Sequence, residues 1–289
     1  MTRATAGIGL LAFSLSTACF AANVVKGSGN TRRETRKVDS FDAVAVRAGI
    51  HLTVSIGDPL VEVKADDNVL ALVRTEVKDG TLEVGFERQS WTDSFRMISG
   101  TVEVTVRTPR LREVDASGGS EAKVDAGTEG SLRLQSSGGS HITIDKAGAR
   151  KLKIDASGGA TVDAAGIDAD ELDAGGSGGA VLTLSGRAQR AKLRFSGGST
   201  IKARSLAVDE LNVGGSGGGE ARLRSAESIK GGLSGGSTLH VGGSPRSKVS
   251  TSGGSEVVYE DGRRKSSSED RNDRDEDRRD REDRDESDD

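Results

Sequence analysis

The sequence predicts an all-β fold: a parallel β-solenoid (β-helix) of about 20 residues per coil, with a less regular β N-terminal cap and a disordered charged C-terminal tail. Three observations predict it. The tripeptide Ser-Gly-Gly recurs eight times at intervals of 18 to 20 residues, and polar and apolar residues alternate between the copies. Hydrophobic residues make up 33% and aromatic residues 3% of the chain, against 40 glycines among 289 residues. That is too little apolar volume for an ordinary globular core, and glycines that recur in register indicate stacked repeats.

The chain begins with a segment typical of export signals. Arg3 precedes a short apolar stretch, and residues 16–21 form a cleavage zone of mostly small residues, so residues 1–21 are predicted to be a signal peptide. Cys19 is the only cysteine, which excludes a disulfide framework and a cysteine metal site. The preceding Ser-Thr-Ala is similar to a lipoprotein signal, so lipidation of Cys19 and ordinary cleavage after Ala21 both remain open. The predicted location is extracytoplasmic: periplasmic, outer-membrane-associated or secreted, with membrane attachment only through a lipidated Cys19.

Residues 35–110 are predicted to be an irregular β part that caps the N-terminal end of the solenoid, because stacked coils need their end edges covered. Alternating polarity predicts strands at Phe41–Arg47, Ile50–Ile56, Leu60–Lys64, Thr75–Val77, Thr81–Phe86 and Thr101–Thr108. A short helical turn is expected over Asp67–Val73. The segment Glu87–Gly100 contains the only tryptophan, Trp91, and is predicted to be a projecting loop.

Residues 111–260 contain the repeat coils, and together with the cap they form one predicted domain, residues 35–260. Each coil contains two short strands, and equivalent residues of successive coils stack about 4.8 Å apart, so eight coils would form a rod of roughly 35–40 Å. The glycine pairs are predicted to turn the corners, since glycine adopts positive φ without a Cβ clash. These structural glycines are Gly118, Gly119, Gly138, Gly139, Gly158, Gly159, Gly178, Gly179, Gly197, Gly198, Gly217, Gly218, Gly235, Gly236, Gly253 and Gly254.

The C-terminal segment, residues 261–289, differs from the rest of the chain. It contains 14 acidic and 9 basic residues and no apolar residue, which gives it a net charge of −5. A segment without apolar side chains cannot offset the entropy lost on ordering, so this tail is predicted to be disordered.

The residues indicate no catalytic, cofactor or metal site. Asp115 and Asp155 share a position in the repeat but are two coils apart, which does not fit the paired carboxylates of a glycosidase. The G-x-S-x-G matches at Ser177 and Ser216 arise from the repeat and lack the following helix that a nucleophile elbow requires. The three histidines show no spacing that suggests a shared site; they are His51, His141 and His240. A calcium-binding β-roll would have a period near nine residues with aspartate after the glycines, which this repeat lacks.

The composition also restricts the partners. Nucleic-acid binding is not expected, because the chain lacks aromatic platforms and a basic excess. No cofactor is predicted. The ligand is expected to be an envelope or surface component, either a glycan or a protein, that contacts the repeated surface side chains.

The order of motifs resembles a known family. The motifs are Asn23-Val24-Val25-Lys26-Gly27-Ser28-Gly29-Asn30, Phe41-Asp42-Ala43-Val44, Ala48-Gly49-Ile50, Ala65-Asp66-Asp67-Asn68-Val69-Leu70, Lys78-Asp79-Gly80-Thr81-Leu82 and the Ser-Gly-Gly-Ser coils. Over residues 23–260 this pattern is similar to the putative auto-transporter adhesin, head GIN domain family, a domain of unknown function. The resemblance implies a bacterial envelope β-solenoid, and the charged tail departs from the family's usual ending.

The leading functional hypothesis is a non-catalytic, extracytoplasmic structural or adhesin-like protein that presents a rigid solenoid surface. The alternative is a periplasmic binding or scaffold module of the cell envelope, with the tail as the contact element. A β-helix enzyme that processes glycans is a third, less favoured hypothesis.

Overall fold

The computed structural model describes residues 24–86, 97–125, 127 and 130–260. These residues form 21 strands and one short helix. The predicted all-β parallel solenoid is confirmed, with about seven turns of about 20 residues. The predicted signal peptide with Cys19, the tryptophan Trp91 and the charged tail lie outside the described residues, so these predictions stand as they were made.

One sheet, here called sheet 1, is formed by the strands that precede each corner. Its parallel strands, in spatial order, are β7 (Thr81–Phe86), β3 (Ala43–Arg47), β10 (Glu113–Ser117), β12 (Ser131–Ser137), β14 (Lys151–Ser157), the second halves of β15 (Thr161–Gly176), β16 (Val181–Phe195), β17 (Thr200–Gly215) and β18 (Glu220–Leu233), and finally β20 (Arg246–Thr251).

The other sheet, sheet 2, is formed by the strands that follow each corner. In the same spatial order its parallel strands are β9 (Glu103–Thr108), β4 (His51–Ile56), β11 (Glu121–Asp125), β13 (His141–Ile144), the first halves of β15 to β18, β19 (Thr238–Val241) and β21 (Glu256–Tyr259). Alternate residues of each strand point into the space between the sheets, which places the aliphatic rows of the repeat in one continuous core.

The central coils have a third side that the two-strand prediction missed. From β15 to β18 the chain stays extended between sheet 2 and sheet 1, and Ala169 pairs with Ala188, which pairs with Val208. Register shifts near Ala164 and Ala203 mark where the chain bends between sides. The buried residues of this side in β15 to β17 are Ile167, Ala169, Ala188, Leu206 and Val208.

The irregular N-terminal part contains one coil that continues the stack in register. Val44 of β3 pairs with Val114, and Leu52 of β4 pairs with Ala122. Its corner is Ala48-Gly49, with φ of 65° and 74°, in place of a glycine pair. The sequence repeat missed this coil because the corner lacks the Ser-Gly-Gly tripeptide.

Antiparallel strands cover the N-terminal ends of both sheets. Strand β5 (Leu60–Asp66) pairs with β9 and with β2 (Thr31–Thr35), and β6 (Val73–Lys78) pairs with β7. The helix α1 is a single turn, Asp67–Leu70, which is shorter than predicted because β6 already starts at Val73. This arrangement protects the strand edges that a solenoid would otherwise expose.

The segment predicted to be a projecting loop is partly built into the cap. Its last residues form β8 (Met97–Ser99), which pairs in parallel with β1 (Val24–Lys26). The prediction of a loop over the whole of Glu87–Gly100 is therefore wrong for its C-terminal end, since Met97–Ser99 pairs through backbone hydrogen bonds with β1.

The two glycines of each corner have different backbone conformations. The first glycine has φ between 61° and 72° in all eight corners, from Gly118 to Gly253. The second glycine has positive φ in four corners only; these are Gly119, Gly139, Gly236 and Gly254. The following serine points into the core, where Ser120, Ser140, Ser199 and Ser237 are at most 1% exposed. Their hydroxyls donate to the carbonyl three residues earlier; in Ser140 the Oγ to Ser137 O distance is 2.8 Å.

Candidate functional site

The residues weighed as catalytic candidates are not assembled into a catalytic group. Asp115 and Asp155 occupy one outer row of sheet 1 with Gln135 between them, as the repeat predicted. The pKa of the half-buried Asp115 carboxyl is raised, chiefly because burial disfavours its charged form. The neighbouring Glu113 charge also raises this pKa, whereas the charges of Arg47 and Arg133 oppose the shift. Asp155 instead accepts contacts from cations, with Arg133 Nη2 at 3.4 Å and Lys153 Nζ at 3.5 Å. Ser177 and Ser216 lie at corners between strands of the solenoid, without a helix after them.

All three histidines lie on the outer side of sheet 2, each beside a carboxylate of a neighbouring coil. His51 Nδ1 lies 3.2 Å from Glu121, His141 Nε2 lies 2.8 Å from Asp163, and His240 Nε2 lies 2.9 Å from Glu220. His51 and His141 belong to one row with Glu121 between them, an adjacency that their sequence spacing does not suggest. Among the described residues, no group of three or more His, Cys, Asp or Glu side chains could hold a metal ion.

The outer side of sheet 1 is organised in rows of charged side chains that run along the solenoid axis. In the central coils the charge within such a row alternates in sign from one coil to the next. Glu171 lies between Lys151, at 3.1 Å, and Arg190, at 3.2 Å, and these two hydrogen bonds lower the pKa of its carboxyl. Arg194 Nη2 lies 2.9 Å from Asp173 Oδ1 and 3.8 Å from Asp155 Oδ1. The central coils therefore balance their surface charge within the sheet.

In the C-terminal coils, the row of sheet 1 that contains Lys192 no longer alternates between positive and negative side chains. Lys192 pairs in register with Asn212, which pairs with Lys230, which pairs with Lys248. All four side chains are exposed. Among the described residues no carboxylate forms an ion pair with any of the three lysines. We call Lys192, Lys230 and Lys248 the lysine ridge. The sequence reasoning missed it, although the aligned repeats show the signal: the acidic residues of this row end at Asp173.

Shallow grooves lie on both sides of this row. One groove of about 440 Å³ is lined by Lys192, Asn212 and Lys230 of the row and by Lys151, Glu171, Arg190 and Glu210. The other, of about 580 Å³, runs over the neighbouring rows, where Gly175, Gly214 and Gly232 leave the backbone bare between Asp155, Arg194 and the corner serines. We call Gly214 and Gly232 the glycine floor.

The glycines of this region serve different purposes. Gly215 points inward, where a Cβ would lie 2.7 Å from the Phe195 ring and from Leu233. Gly175 points outward, and a Cβ there would lie 3.3 Å from Asp155 Oδ1 and 3.6 Å from Arg194 Nη2. A Cβ at Gly214 meets nothing within 4 Å, and its φ is not in the left-handed region. Neither sterics nor backbone conformation therefore requires glycine at position 214.

A separate cavity of about 790 Å³ lies at the N-terminal end, between residues 35–42 and the turns at Pro59 and Pro109. Its lining combines apolar side chains, such as Val38, Phe41 and Leu60, with basic ones and with two acidic ones, Asp39 and Asp42. Arg36, which also lines it, donates from Nη2 to the Leu70 carbonyl at 3.0 Å, while its buried Nε has no hydrogen-bond partner among the described residues. The cavity volume is within the range of small-molecule sites in proteins.

The sequence profile of the family described as "Putative auto-transporter adhesin, head GIN domain" matches residues 40–245. The chain belongs to this family. The family resemblance inferred from the motifs is thus confirmed. No curated protein matches the GIN-domain chain. No helix among the described residues is long and apolar enough to cross a membrane.

Solved structures share the fold of this GIN-domain chain. A putative adhesin from Parabacteroides distasonis ATCC 8503 has a TM-score of 0.72 and 22% identity, and the match covers 82% of this chain and 100% of that one. A putative adhesin from Parabacteroides merdae ATCC 43184 has a TM-score of 0.71 and 21% identity, with 82% and 99% covered. A putative lipid binding protein from P. distasonis ATCC 8503 has a TM-score of 0.71 and 19% identity, also with 82% and 99% covered. At these identities the likeness establishes the fold.

Proposed function

We propose that this chain is a non-catalytic, extracytoplasmic adhesin-like protein whose outer solenoid surface contacts an envelope or surface ligand. The observation that carries the proposal is the outer side of sheet 1, where equivalent side chains repeat in register over successive coils. Such a surface offers many similar, individually weak contacts to an extended ligand, and linked weak contacts produce high overall avidity. Membership of the GIN-domain family agrees with this function.

The location is the first test of the proposal. Cells that produce the protein are fractionated, intact cells are treated with protease, and the mass of the mature N-terminus is measured. A body that protease removes from intact cells, with or without a lipid on Cys19, supports an adhesin at the exterior. A mature product that starts near Ala22 and resists protease until the outer membrane is opened would favour the periplasmic scaffold instead.

The absence of catalysis needs its own test, because carboxylates are present on the surface. Asp115 is the carboxylate whose raised pKa most resembles that of a general acid. Purified protein is incubated with envelope glycans and the release of reducing ends is followed. Turnover that disappears in Asp115→Asn but persists in Asp163→Asn would contradict the proposal and support the glycan-processing enzyme.

A second candidate function is the binding of a small amphiphilic anion in the N-terminal cavity. The observation that favours it is the lining, which contains Val38, Phe41 and Leu60 and three basic residues against two acidic ones. A structural neighbour described as a putative lipid binding protein agrees with this candidate. Titration with a fluorescent fatty acid tests it: binding should be lost in Phe41→Asp and retained in Phe86→Asp, a half-buried phenylalanine that does not line the cavity.

A further inference from the structure

The C-terminal half of sheet 1 combines an excess of positive charge, against which Glu210 is the carboxylate of the neighbouring outer row, with bare backbone. In the row that contains the ridge, Glu113 and Asp173 balance Arg133 and Lys153, whereas the coils after Asp173 contribute only Lys192, Asn212, Lys230 and Lys248. Arg246 adds a further exposed cation at the edge of the same region. Like charges in neighbouring strands repel one another, so the adjacent pair Lys230 and Lys248 costs stability unless a counter-charge binds there.

The spacing of the ridge suits an extended ligand. Parallel strands stack about 4.8 Å apart, so Lys230 and Lys248 are about 4.8 Å apart along the axis and Lys192 lies about 9.6 Å before Lys230. Their ammonium groups therefore follow the solenoid axis as a line of charges. A polymer with anionic groups at regular intervals, laid along that axis, would contact all three lysines.

The glycine floor is the second observation that points to a ligand. Glycine inside a strand lowers stability, and where the fold does not need it, it often marks close approach of a ligand. Gly214 has no steric or conformational reason to be glycine, and a Cβ at Gly232 would meet Ser250, with its Oγ at 3.2 Å and its carbonyl oxygen at 3.9 Å. Both open onto the groove of about 580 Å³ beside the ridge. A sugar ring can therefore approach the backbone while its acidic group reaches a lysine.

We propose that the lysine ridge and the glycine floor form a binding site for an acidic polysaccharide of the polyuronate type. The site rests on the proposed adhesin-like function and names the class of its ligand. Nucleic acid is a poorer fit, because the outer rows of sheet 1 among the described residues carry no aromatic side chain on which bases could stack.

The test measures binding of the purified protein to immobilised polygalacturonate, with dextran as the neutral polymer. The variant Lys192→Gln/Lys230→Gln/Lys248→Gln removes the ridge. The matched control Lys26→Gln/Lys123→Gln/Lys202→Gln removes three exposed lysines outside sheet 1 and changes the net charge equally. We expect the wild-type protein to bind polygalacturonate and not dextran, and the ridge variant to lose about tenfold in affinity, corresponding to about 1.4 kcal/mol. The control variant should bind as the wild-type protein does, and binding should weaken as salt rises to about 150 mM.

A second variant separates shape from charge. Gly214→Gln fills the groove without changing the charge and, because a Cβ there meets nothing within 4 Å, should keep the wild-type unfolding curve. Reduced polygalacturonate binding by this variant supports the site.

Equal losses in the ridge and control variants, or no binding by the wild-type protein, would overturn the proposal. Equally tight binding of poly-glutamate would assign the surface to acidic peptides instead. A wild-type protein that is exposed on cells yet binds no polyuronate leaves the adhesin proposal standing and removes this ligand.

Discussion

At the scale of single residues, one inner row of sheet 1 shows how the narrow core accommodates an aromatic ring. The row runs Ala156, Gly176, Phe195, Gly215 and Leu233. Phe195 is 2% exposed, and Gly215 and Gly219 leave room for its ring, since a Cβ at either would lie 2.7 Å or 2.9 Å from it. Because interiors are close-packed, the large residue and its two small neighbours function as one unit.

Adjacent glycines allow a direct test of this packing. In Gly215→Ala the new methyl lies 2.7 Å from both Phe195 and Leu233, so we expect the free energy of unfolding to fall by about 1–3 kcal/mol. In the matched variant Gly214→Ala the methyl meets nothing, and the free energy of unfolding should stay unchanged or rise by about 0.4–1 kcal/mol. Urea denaturation measures both. Equal destabilisation by the two variants would contradict the assigned role of Phe195.

One half-buried carboxylate in an outer row of sheet 1, Asp115, should make the stability depend on pH. Burial raises the pKa of Asp115, so the folded protein holds its proton more tightly than the unfolded chain does. The contribution of Asp115 to stability is then greatest at low pH and falls as the pH rises through the folded-state pKa. Asp115→Asn should therefore raise the free energy of unfolding at pH 7 and give a smaller gain at pH 4.

Asp155→Asn is the matched variant, since Arg133, Lys153 and Arg194 all lie within 4.0 Å of that carboxylate. Its removal should lower stability at pH 7, by no more than about 1 kcal/mol because exposed ion pairs contribute little. Denaturation curves at pH 7 compare the two variants, and a further curve at pH 4 follows Asp115→Asn. A loss of stability at pH 7 in Asp115→Asn would disprove the assigned cost of its burial.

At the scale of the element, the corner is the unit that the sequence repeats. Its first glycine adopts positive φ in every copy, whereas the second does so in only half of them. Ala48 occupies the first position in the N-terminal coil with φ of 65°, so the corner accepts a Cβ at an energetic cost. Left-handed backbone costs a residue with a Cβ roughly 1–2 kcal/mol.

Substitutions in one corner should separate the two glycine positions. Gly158 has φ of 66° and a Cβ there would lie 3.4 Å from the backbone of Gly138, so Gly158→Ala should lower the free energy of unfolding by about 1–2 kcal/mol. Gly159 is outside the left-handed region and a Cβ there meets nothing within 4 Å, so Gly159→Ala should be neutral. Thermal or urea unfolding compares them. In the opposite direction, Ala48→Gly should increase stability.

At the scale of the whole molecule, the two ends of the stack differ. The N-terminal end is covered by β2, β5 and β6, which pair in antiparallel fashion. At the other end, among the described residues, no strand pairs with the outer edge of β20 or β21. The inward residues Val249 and Val257 are only half-buried there, whereas Val213 and Ile201 in the central coils are fully buried.

Amide hydrogen exchange should reflect this asymmetry. In stacked repeats each coil is stabilised by its neighbours, so a coil with one neighbour opens more readily. We expect the highest protection in β15 to β17, intermediate protection in β3 and β4, and the lowest in β20 and β21. Mass spectrometry of peptides from each region measures it. Protection in β20 and β21 equal to that of the central coils would indicate that the C-terminal end is covered.

The solenoid, its period, its parallel stacking and its family all follow from the amino-acid sequence. They do so because one coil cannot bury its own apolar side, so every coil must repeat the same inward residues and the same corner. Local chemistry also predicted most cap strands, and it excluded a nucleophile elbow at Ser177 and Ser216. All of these features depend on residues close together in the chain.

The folded structure was needed to show which residues of distant coils meet. It placed His51 and His141 in one row, directed Ser140 and Ser199 into the core, and added the third side of the central coils. It also distinguished Gly215, whose hydrogen faces Phe195, from Gly214, which faces open space. These properties depend on strand register and on the direction of each side chain. A shift of one residue in strand register would turn every inward side chain outward, so the composition of the repeat alone cannot determine which side chains face the core.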